Sequence, residues 1–414
     1  MSGRTRFSPG KWLRQTEAAS LRRDGSFEEA AARQWDTLGS PALRMALVRE
    51  IVATRAAELT LAYRNVVSLA AGFRTRRAAD GTEELHPEPC VIFMTKRKWE
   101  PAEVGEAAQR LPKALLTFGP NPTAPANSPA RVCYAVPTDV QQAQRLAGAR
   151  AHARASVKVS DTVPKFILPG TLTCGVRVRD IADGESMFAL SAMHVLSPVP
   201  RETNATGGAA FKAIGSTRRR GVSAPFGGHI DADLGLAFDA QLAEVGDKAW
   251  LNGAFEGLSL SAQHPYVAAP DVFADLAARR SFRIVVHDRQ PNAAPGPRET
   301  LLAQFSRFVG TEWQVIYDVR RNGKPTPVGI SHPELIVLTV HPDCTPPVSG
   351  DSGAAVLCER DDGELTLVGM YMARGPAGAE REAYVLPAWQ LFDLTNWRQL
   401  PVDAVELQPT FLLS

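Results

Sequence analysis

The amino-acid sequence predicts a mainly β protein, in which a helical segment and a small α+β domain precede two packed β-barrels. From about Phe166 onward, short β-prone segments alternate with Gly, Pro and Asp turns. This part spans about 230 residues, a length that suits two small barrels. The stretch before it, from Phe27 to Leu69, is instead rich in Ala, Leu, Glu and Arg, which are strong helix formers.

The amino-terminal stretch is predicted to form two helices. Apolar residues recur there at helical spacing, as in Leu43, Met45, Leu47, Val48 and Ile51. The break between the helices falls at Gly39-Ser40-Pro41, where Ser40 suits the N-cap and Pro41 the first helical position. The β-rich segments NVVSLAAGFRTRR, PCVIFMTKRK and ARVCYAVPTDV then predict the small α+β domain.

These composition changes divide the chain into five predicted regions. They are a helical leader (1–62), a small α+β accessory or regulatory domain (63–145), a linker (146–162), the double-barrel domain (163–402) and a C-terminal tail (403–414).

Composition excludes several classes of partner and location. The chain has 414 residues, 44% hydrophobic and 22% charged, with a formal net charge of +2. This balance gives no reason to expect binding to nucleic acid or to a membrane surface. The Met1–Gln15 segment has no apolar core of the kind found in secretory signals, and no run of about 18 apolar residues could span a bilayer. We therefore expect a soluble, cytoplasmic protein.

Cysteine and histidine spacing predicts neither a disulfide framework nor a metal site. The five cysteines are scattered, their number is odd, and no CxxC pair occurs, which indicates free thiols in a reducing compartment. The histidines show no metal-ligand spacing. The sequence also lacks a phosphate-binding loop and a dinucleotide fingerprint, so no metal or organic cofactor is expected.

The stretch Gly350-Asp351-Ser352-Gly353 has the residue types that acyl transfer needs. Flanking glycines allow a sharp turn that projects the serine, and the same turn can aim the amides of Gly350 and Ser352 at one point as an oxyanion hole. A plain turn is the alternative, because Gly, Asp and Ser are all common turn formers.

A serine hydroxyl needs a base, and no histidine follows Ser352, so the order Ser…Asp…His is excluded. Upstream, His194 ends the apolar segment FALSAMHVLSP, and Asp233 begins the alternating strand of HIDADLGLAFDA. Taken singly, such a histidine is more often a core residue and such an acid a turn residue. Together they give the order His…Asp…Ser, which is found on paired β-barrels.

Residues 160–400 resemble the chymotrypsin/trypsin-like serine peptidases. The nucleophile motif matches, Ser191-Ala192-Met193-His194 resembles their Thr-Ala-Ala-His, and Asp233-Leu234-Gly235-Leu236 resembles their Asp-Ile-Ala-Leu. AYVLPAWQLFDLTNW is similar to their closing segment with its C-terminal helix. The resemblance implies a double six-stranded β-barrel and a serine endopeptidase acting on protein or peptide substrates. It also implies a His194–Asp233–Ser352 triad with the Gly350 and Ser352 amides as oxyanion hole.

The resemblance also implies a substrate pocket, and it departs from the secreted members. Its pocket residues are Pro346, Ser349, Met372 and Ala373, although the stretch 370–375 can be aligned in more than one register. Pro346 stands where trypsin-type enzymes carry an aspartate, which favours small or apolar substrate residues. Val195 and Val348 replace cysteines that form disulfides in secreted members.

Activation is a further departure. In zymogen members a freshly cut amino terminus pairs with the acid beside the nucleophile, here Asp351. No Ile-Val-Gly-Gly-like segment precedes the barrels, and the nearest stretch is GTLTCGVRV. Two expectations stay open. Either a local group pairs with Asp351, or the site forms only after an activating signal.

Within the amino-terminal 140 residues, the segments GFRTRR, PCVIFMTKRK and VPTDV resemble regions that precede trypsin-like domains in intracellular bacterial proteins and in plant narrow-leaf-type proteins. An activating protein partner bound by residues 1–140 is therefore one expectation, and a role in bacterial immune defence is another hypothesis. Three alternatives to a general protease also stay open. They are an inactive or latent fold that binds partners, a protease that cuts its own linker near 151–165, and an esterase or transferase on the same triad.

Overall fold

The structure is a computed structural model of the chain. It describes residues 25–63, 65–77, 83–95, 111–125, 130–142, 154–155, 171–181, 184–192, 224–225, 240–244, 255, 257–286, 299–310, 314–321, 324–332, 334–348, 351–375, 379–397 and 404–411. The chain divides into two compact units. Unit 1 is Met1–Arg145 with Ala277–Arg279 and Ser306–Phe308, and unit 2 is Leu146–Leu276, Arg280–Phe305 and Val309–Ser414.

The amino-terminal region of unit 1 forms two helices and four strands among its described residues. They are α1 (Gly25–Thr37), α2 (Pro41–Ala62), β1 (Val66–Arg77), β2 (Glu83–Thr95), β3 (Ala114–Pro120) and β4 (Arg131–Gln142). The strands are hydrogen-bonded in the order β1-β2-β4-β3. The β2–β4 pair is parallel, while β1–β2 and β3–β4 are antiparallel.

The predicted break between the two helices is confirmed. The Ser40 side chain accepts a hydrogen bond from the Leu43 amide at the start of α2, and Pro41 is the first helical residue. Met45 and Ile51 are buried on this helix, but Leu43, which belongs to the predicted apolar pattern, is 41% exposed. Leu43 lies in the first turn of α2, where its amide serves the cap.

Six strands, which belong to unit 2 apart from Ser306–Phe308 of β11, form a closed barrel. They are β10 (Phe282–Val286), β11 (Glu299–Gly310), β14 (Glu334–Val340), β15 (Ala355–Glu359), β16 (Leu365–Arg374) and β17 (Glu382–Pro387). Their order is β10-β15-β16-β17-β14-β11, and β11 pairs with β10 to complete the ring. Ile284 illustrates the closure, since it faces Leu301 on one side and Val356 on the other.

Further strands of unit 2 form two smaller sheets. The strands are β5 (Arg154–Ala155), β6 (Cys174–Asp180), β7 (Glu185–Ser191), β8 (Ala224–Pro225), β9 (Gln241–Glu244), β12 (Gln314–Arg321), β13 (Lys324–Ser331) and β18 (Ala404–Thr410). One sheet has the order β18-β6-β7-β9-β8 and the other the order β13-β12-β5. The predicted fold class is thus confirmed as mainly β with a closed six-stranded barrel and additional strands.

Helices are short in the described part of unit 2. Helix α3 (Pro270–Ala277) carries the fully buried Phe273, whose ring stacks on Phe282 and meets Phe305 edge to face. The expected C-terminal helix is a single four-residue segment, α4 (Ala388–Leu391), followed by a short 3-10 turn. Among the described residues, no helix is both long enough and apolar enough to cross a membrane.

The end of the chain differs from the sequence expectation. Residues 403–414 were expected as a tail, yet they contain strand β18, which pairs antiparallel with β6 from Ala404↔Asp180 to Thr410↔Gly175. Leu407 and Phe411 are each 2% exposed, and the Phe411 ring stacks on Phe255 at 4.7 Å. Burial of these side chains explains why the segment joins the sheet.

All five cysteines are free, and four of them are buried. Burial raises the pKa of Cys133 and of Cys358 to about 11 and also raises the pKa of Cys90 and Cys174. Because the thiolate is the reactive form, these four thiols stay protonated and inert at neutral pH. Cys344 is partly exposed.

A thiol-counting experiment checks this arrangement. At pH 8, native protein is expected to react rapidly with an aromatic disulfide reagent at one thiol per chain, and Cys344→Ser is expected to remove that fast phase. Unfolding in denaturant should expose all five thiols. Two or more fast thiols in the native protein would contradict the burial of the other cysteines.

The packing of β18 generates a stability prediction. Leu407→Ala is expected to destabilise unit 2 by about 2–4 kcal/mol, because it leaves a cavity in a buried position. Val405→Ala, on the same strand but 43% exposed, is the matched control and should cost less than about 0.5 kcal/mol. Urea unfolding, combined with hydrogen exchange of the β6 amides, measures both effects.

Candidate active site

Ser352 lies in a tight turn that leads into β15. Gly353, the next residue, has a φ of +91°, a left-handed conformation that favours glycine. Its amide donates to the Tyr371 carbonyl at 2.8 Å, and the Ala354 amide donates to the Asp351 carbonyl at 3.0 Å. The first bond joins the turn to β16, and the second closes the turn internally.

A close approach of another backbone segment adds a second reason for glycine at position 353. A Cβ atom there would lie 1.9 Å from the Thr171 carbonyl oxygen and 2.2 Å from the Ser191 hydroxyl oxygen. No side chain fits in that space, so the sequence Asp351-Ser352-Gly353 meets both a conformational and a steric requirement. A plain turn needs only the backbone conformation and does not need a second backbone segment packed against its glycine.

Asp351, beside the serine, has a local partner. Its side chain is 1% exposed, and its Oδ2 accepts a hydrogen bond from the Val348 amide at 2.7 Å. The Asp351 amide in turn donates to the Val348 carbonyl at 3.2 Å. A neighbouring backbone amide is therefore one partner of this carboxylate, and it is a local group of the kind that the first of the two expectations for Asp351 describes.

The Ser352 side chain is bound to β16. Ser352 is 7% exposed, and its hydroxyl donates to the Met372 carbonyl oxygen at 3.1 Å. The pairing of β16 with β17 shifts register between Tyr371 and Ala373, so Met372 has no ladder partner on β17. This irregularity frees the Met372 carbonyl for the serine.

The structure describes some of the predicted site residues and not others. It brings Ser352 and Met372 together, places Ala373 buried on β16, and places Pro346 partly buried in the segment before Asp351. The other predicted members lie outside the described residues: His194, Asp233, Ser349 and Gly350. Among the described residues, no group of His, Cys, Asp or Glu side chains could hold a metal ion.

Three hydroxyl-bearing residues around the turn were missed by sequence reasoning. The Ser191 hydroxyl donates to the Thr171 carbonyl at 2.6 Å, and the Thr171 amide donates to the Ser352 carbonyl at 2.9 Å. The Thr173 hydroxyl donates to the Gly353 carbonyl at 2.6 Å. We refer to Thr171, Thr173 and Ser191 as the hydroxyl clamp. In it, Ser191 and Thr173 contribute their hydroxyls and Thr171 contributes its backbone amide and carbonyl.

Part of the hydroxyl clamp has a sequence signal. Thr171 and Thr173 are two residues apart just before β6, the spacing that puts side chains on one face of a strand. Ser191 ends β7, and in the sequence it begins the segment Ser191-Ala192-Met193-His194 that resembles Thr-Ala-Ala-His. Nothing local in the sequence indicates that all three meet the Ser352 turn.

Two structures of a norovirus protease are among the solved structures that are similar to part of this chain. The scan against protein-family models finds no match, and the search of curated proteins finds none either. One solved structure similar to this chain is the NS6 protease from murine norovirus 1, with 11% sequence identity and a TM-score of 0.24. The alignment covers 51% of this chain and 89% of that protease. An inactive mutant of the murine norovirus NS6 protease with a C-terminal extension gives 11% identity, coverage of 56% and 97%, and a TM-score of 0.25. Because both TM-scores are low, the fold assignment rests on the strand order of the barrel.

The crowding at Gly353 can be separated from its backbone conformation by a matched pair of substitutions. Gly353→Ala is expected to destabilise unit 2 by about 3 kcal/mol or more, because it adds overpacking to backbone strain. Gly363 has a similar φ of +82° but nothing within 4 Å of its Cβ position, so Gly363→Ala should cost only about 1 kcal/mol. Equal losses of stability in urea unfolding would show that the contact with Thr171 is not tight.

Proposed function

We propose that this protein is a serine endopeptidase that cleaves peptide bonds through an acyl-enzyme. Ser352 is the nucleophile, His194 the general base and acid, and Asp233 the carboxylate that orients His194. The observation that carries the proposal is the rigid turn at Ser352, where a left-handed glycine is packed against Thr171 and a buried aspartate is satisfied locally. Such preorganisation is what a nucleophile requires.

Chain connectivity supports His194 as the base. Ser191 is hydrogen-bonded to Thr171, whose amide is hydrogen-bonded to the Ser352 carbonyl. His194 follows Ser191 by three residues, so their Cα atoms are at most about 11 Å apart along an extended chain. The segment that carries the proposed base therefore starts beside the proposed nucleophile.

The proposed reaction runs in two halves. In the first, His194 takes the proton from the Ser352 hydroxyl as Oγ bonds to the substrate carbonyl carbon, and the negative oxygen is bound by the amides of Gly350 and Ser352. Such a donor is typically worth about 3–4 kcal/mol. The C–N bond then breaks as His194 gives its proton to the leaving amine. In the second half, water repeats the sequence and releases the acid from Ser352.

Substrate binding is proposed at Pro346, Ser349, Met372 and Ala373. Pro346 offers no charge to a basic side chain, which supports a preference for small or apolar residues. Met372 and Ala373 are 0% and 4% exposed, so their side chains are closed to a substrate in the described conformation, and binding there requires the site to open. No cofactor takes part in the proposal, and the substrates are proteins or peptides.

The remaining expectations are part of the same proposal. The protease region 163–402 acts in the cytoplasm, and residues 1–140 regulate it through an activating partner. The helical leader (1–62), the accessory domain (63–145) and the linker (146–162) stay predictions, and strand β5 (Arg154–Ala155) lies within the predicted linker. Self-cleavage near 151–165 would leave products that Ser352→Ala does not form, and comparing peptides with simple esters distinguishes an esterase.

One observation favours a second candidate function. The Ser352 hydroxyl donates a hydrogen bond to the Met372 carbonyl, an acceptor that cannot act as a base. A latent or inactive protease fold that binds partners would have this arrangement. The two candidates differ in whether Ser352 becomes reactive.

Labelling with a fluorophosphonate probe tests the proposal. Wild-type protein is expected to be labelled at Ser352, while His194→Ala and Ser352→Ala are not labelled, because the probe reacts only with an activated serine. In-gel fluorescence gives the extent of labelling, and peptide mapping identifies the labelled residue.

The other outcomes separate the candidates. Labelling that persists in Ser352→Ala would remove Ser352 as the nucleophile. Wild-type protein that is not labelled, alone or with cell extract as a source of activators, would favour the partner-binding fold.

A further inference from the structure

The hydroxyl clamp connects three chain segments that are far apart in sequence. Ser191 is the last residue of β7. Thr171 and Thr173 lie just before β6, and Ser352-Gly353 lies just before β15. The Thr173–Gly353 bond joins residues 180 positions apart, and the Ser191–Thr171 bond joins residues 20 positions apart. All these residues lie within unit 2.

The Thr171 carbonyl lies at the centre of this arrangement. It accepts the Ser191 hydroxyl at 2.6 Å, and it lies so close to Gly353 that no Cβ atom fits between them. The Thr171 amide, from the same residue, donates to the Ser352 carbonyl at 2.9 Å. A shift of Thr171 would therefore move the turn of Ser352.

Burial makes the hydroxyl clamp rigid. Thr171, Thr173 and Ser191 are 4%, 0% and 0% exposed. Water does not reach these buried hydrogen bonds. When one hydroxyl is removed, solvent therefore cannot take its place at the partner carbonyl, and the local geometry changes.

We infer that Ser191 and Thr173 are positioning residues, which hold the Ser352 turn in register with the strand that leads to His194. This inference rests on the proposed function and adds the residues that set its geometry. Both residues are 0% exposed, so neither can reach a substrate directly. Ser191 acts through Thr171, and Thr173 acts through the Gly353 carbonyl. A displacement of about 1 Å in a catalytic group can lower a rate about a hundredfold, so a small shift at this turn has a large effect.

The test compares substitutions that remove a hydroxyl with conservative ones that keep it. Ser191→Ala and Thr173→Val remove the hydroxyl, whereas Ser191→Thr and Thr173→Ser keep it. Ser261→Ala is the matched control, because Ser261 is a buried serine of unit 2 (1% exposed) whose hydroxyl oxygen accepts a bond from the nearby His264 amide. The readouts are the rate of fluorophosphonate labelling at Ser352, its pH profile and the thermal midpoint.

We expect Ser191→Ala and Thr173→Val to slow labelling about 10- to 100-fold, with thermal midpoints close to that of Ser261→Ala. The conservative variants should label within a few-fold of wild type. The midpoint of the pH profile should stay unchanged, because no titrating group is altered. Labelling as fast as wild type in Ser191→Ala and Thr173→Val, or slowing equal to that of Ser261→Ala, would overturn the inference while the proposed function stands.

Hydrogen exchange decides the inference even in a protein that is not labelled. The Gly353 amide is bonded to the Tyr371 carbonyl, so its exchange reports on the turn directly. Ser191→Ala should speed its exchange about tenfold or more relative to Ser261→Ala. Unchanged exchange would overturn the inference, whereas absence of labelling in wild type counts against the proposed function.

Discussion

The contact between Gly353 and the Thr171 carbonyl is the constraint on which the candidate site depends. It requires a residue without a side chain, in a left-handed conformation, immediately after Ser352. It also fixes where the segment before β6 must run relative to β15. The barrel supplies β15 and β16 as a frame. This backbone approach, with the hydrogen bonds from Thr171 to Ser352 and from Thr173 to Gly353, joins the sheet that contains β6 to that frame.

The hydrogen bond from Ser352 to Met372 bears on both candidate functions. A neutral hydrogen bond contributes about 1 kcal/mol net, and a buried carbonyl left without it costs about 1–3 kcal/mol. Turning the hydroxyl towards a base therefore costs little compared with the barrier to peptide hydrolysis. This bond slows a competent site by at most about a hundredfold. A permanently inactive protein would thus need a defect at the base, not merely this bond.

Sequence reasoning worked where the signal is local. Helical periodicity and the Ser40-Pro41 start predicted α1 and α2, and turn residues predicted the β-rich half. The sharp turn at the glycine after Ser352 was also predicted from the sequence. Strand β18 and the hydroxyl clamp were missed, because their partners lie up to about 230 residues away and no short pattern encodes such pairing. His194 and Asp233 were chosen by residue type and order, and their geometry stays a prediction.

The pairing of β18 with β6 has a consequence for biosynthesis. Strand β6 leaves the ribosome well before its antiparallel neighbour at 404–410 is made. At about 5–20 residues per second, the edge of β6 waits at least ten seconds for that partner. During this interval the sheet beside the Ser352 turn lacks its edge strand β18. The proposed peptidase site therefore has its complete sheet only after residues 404–410 have been made.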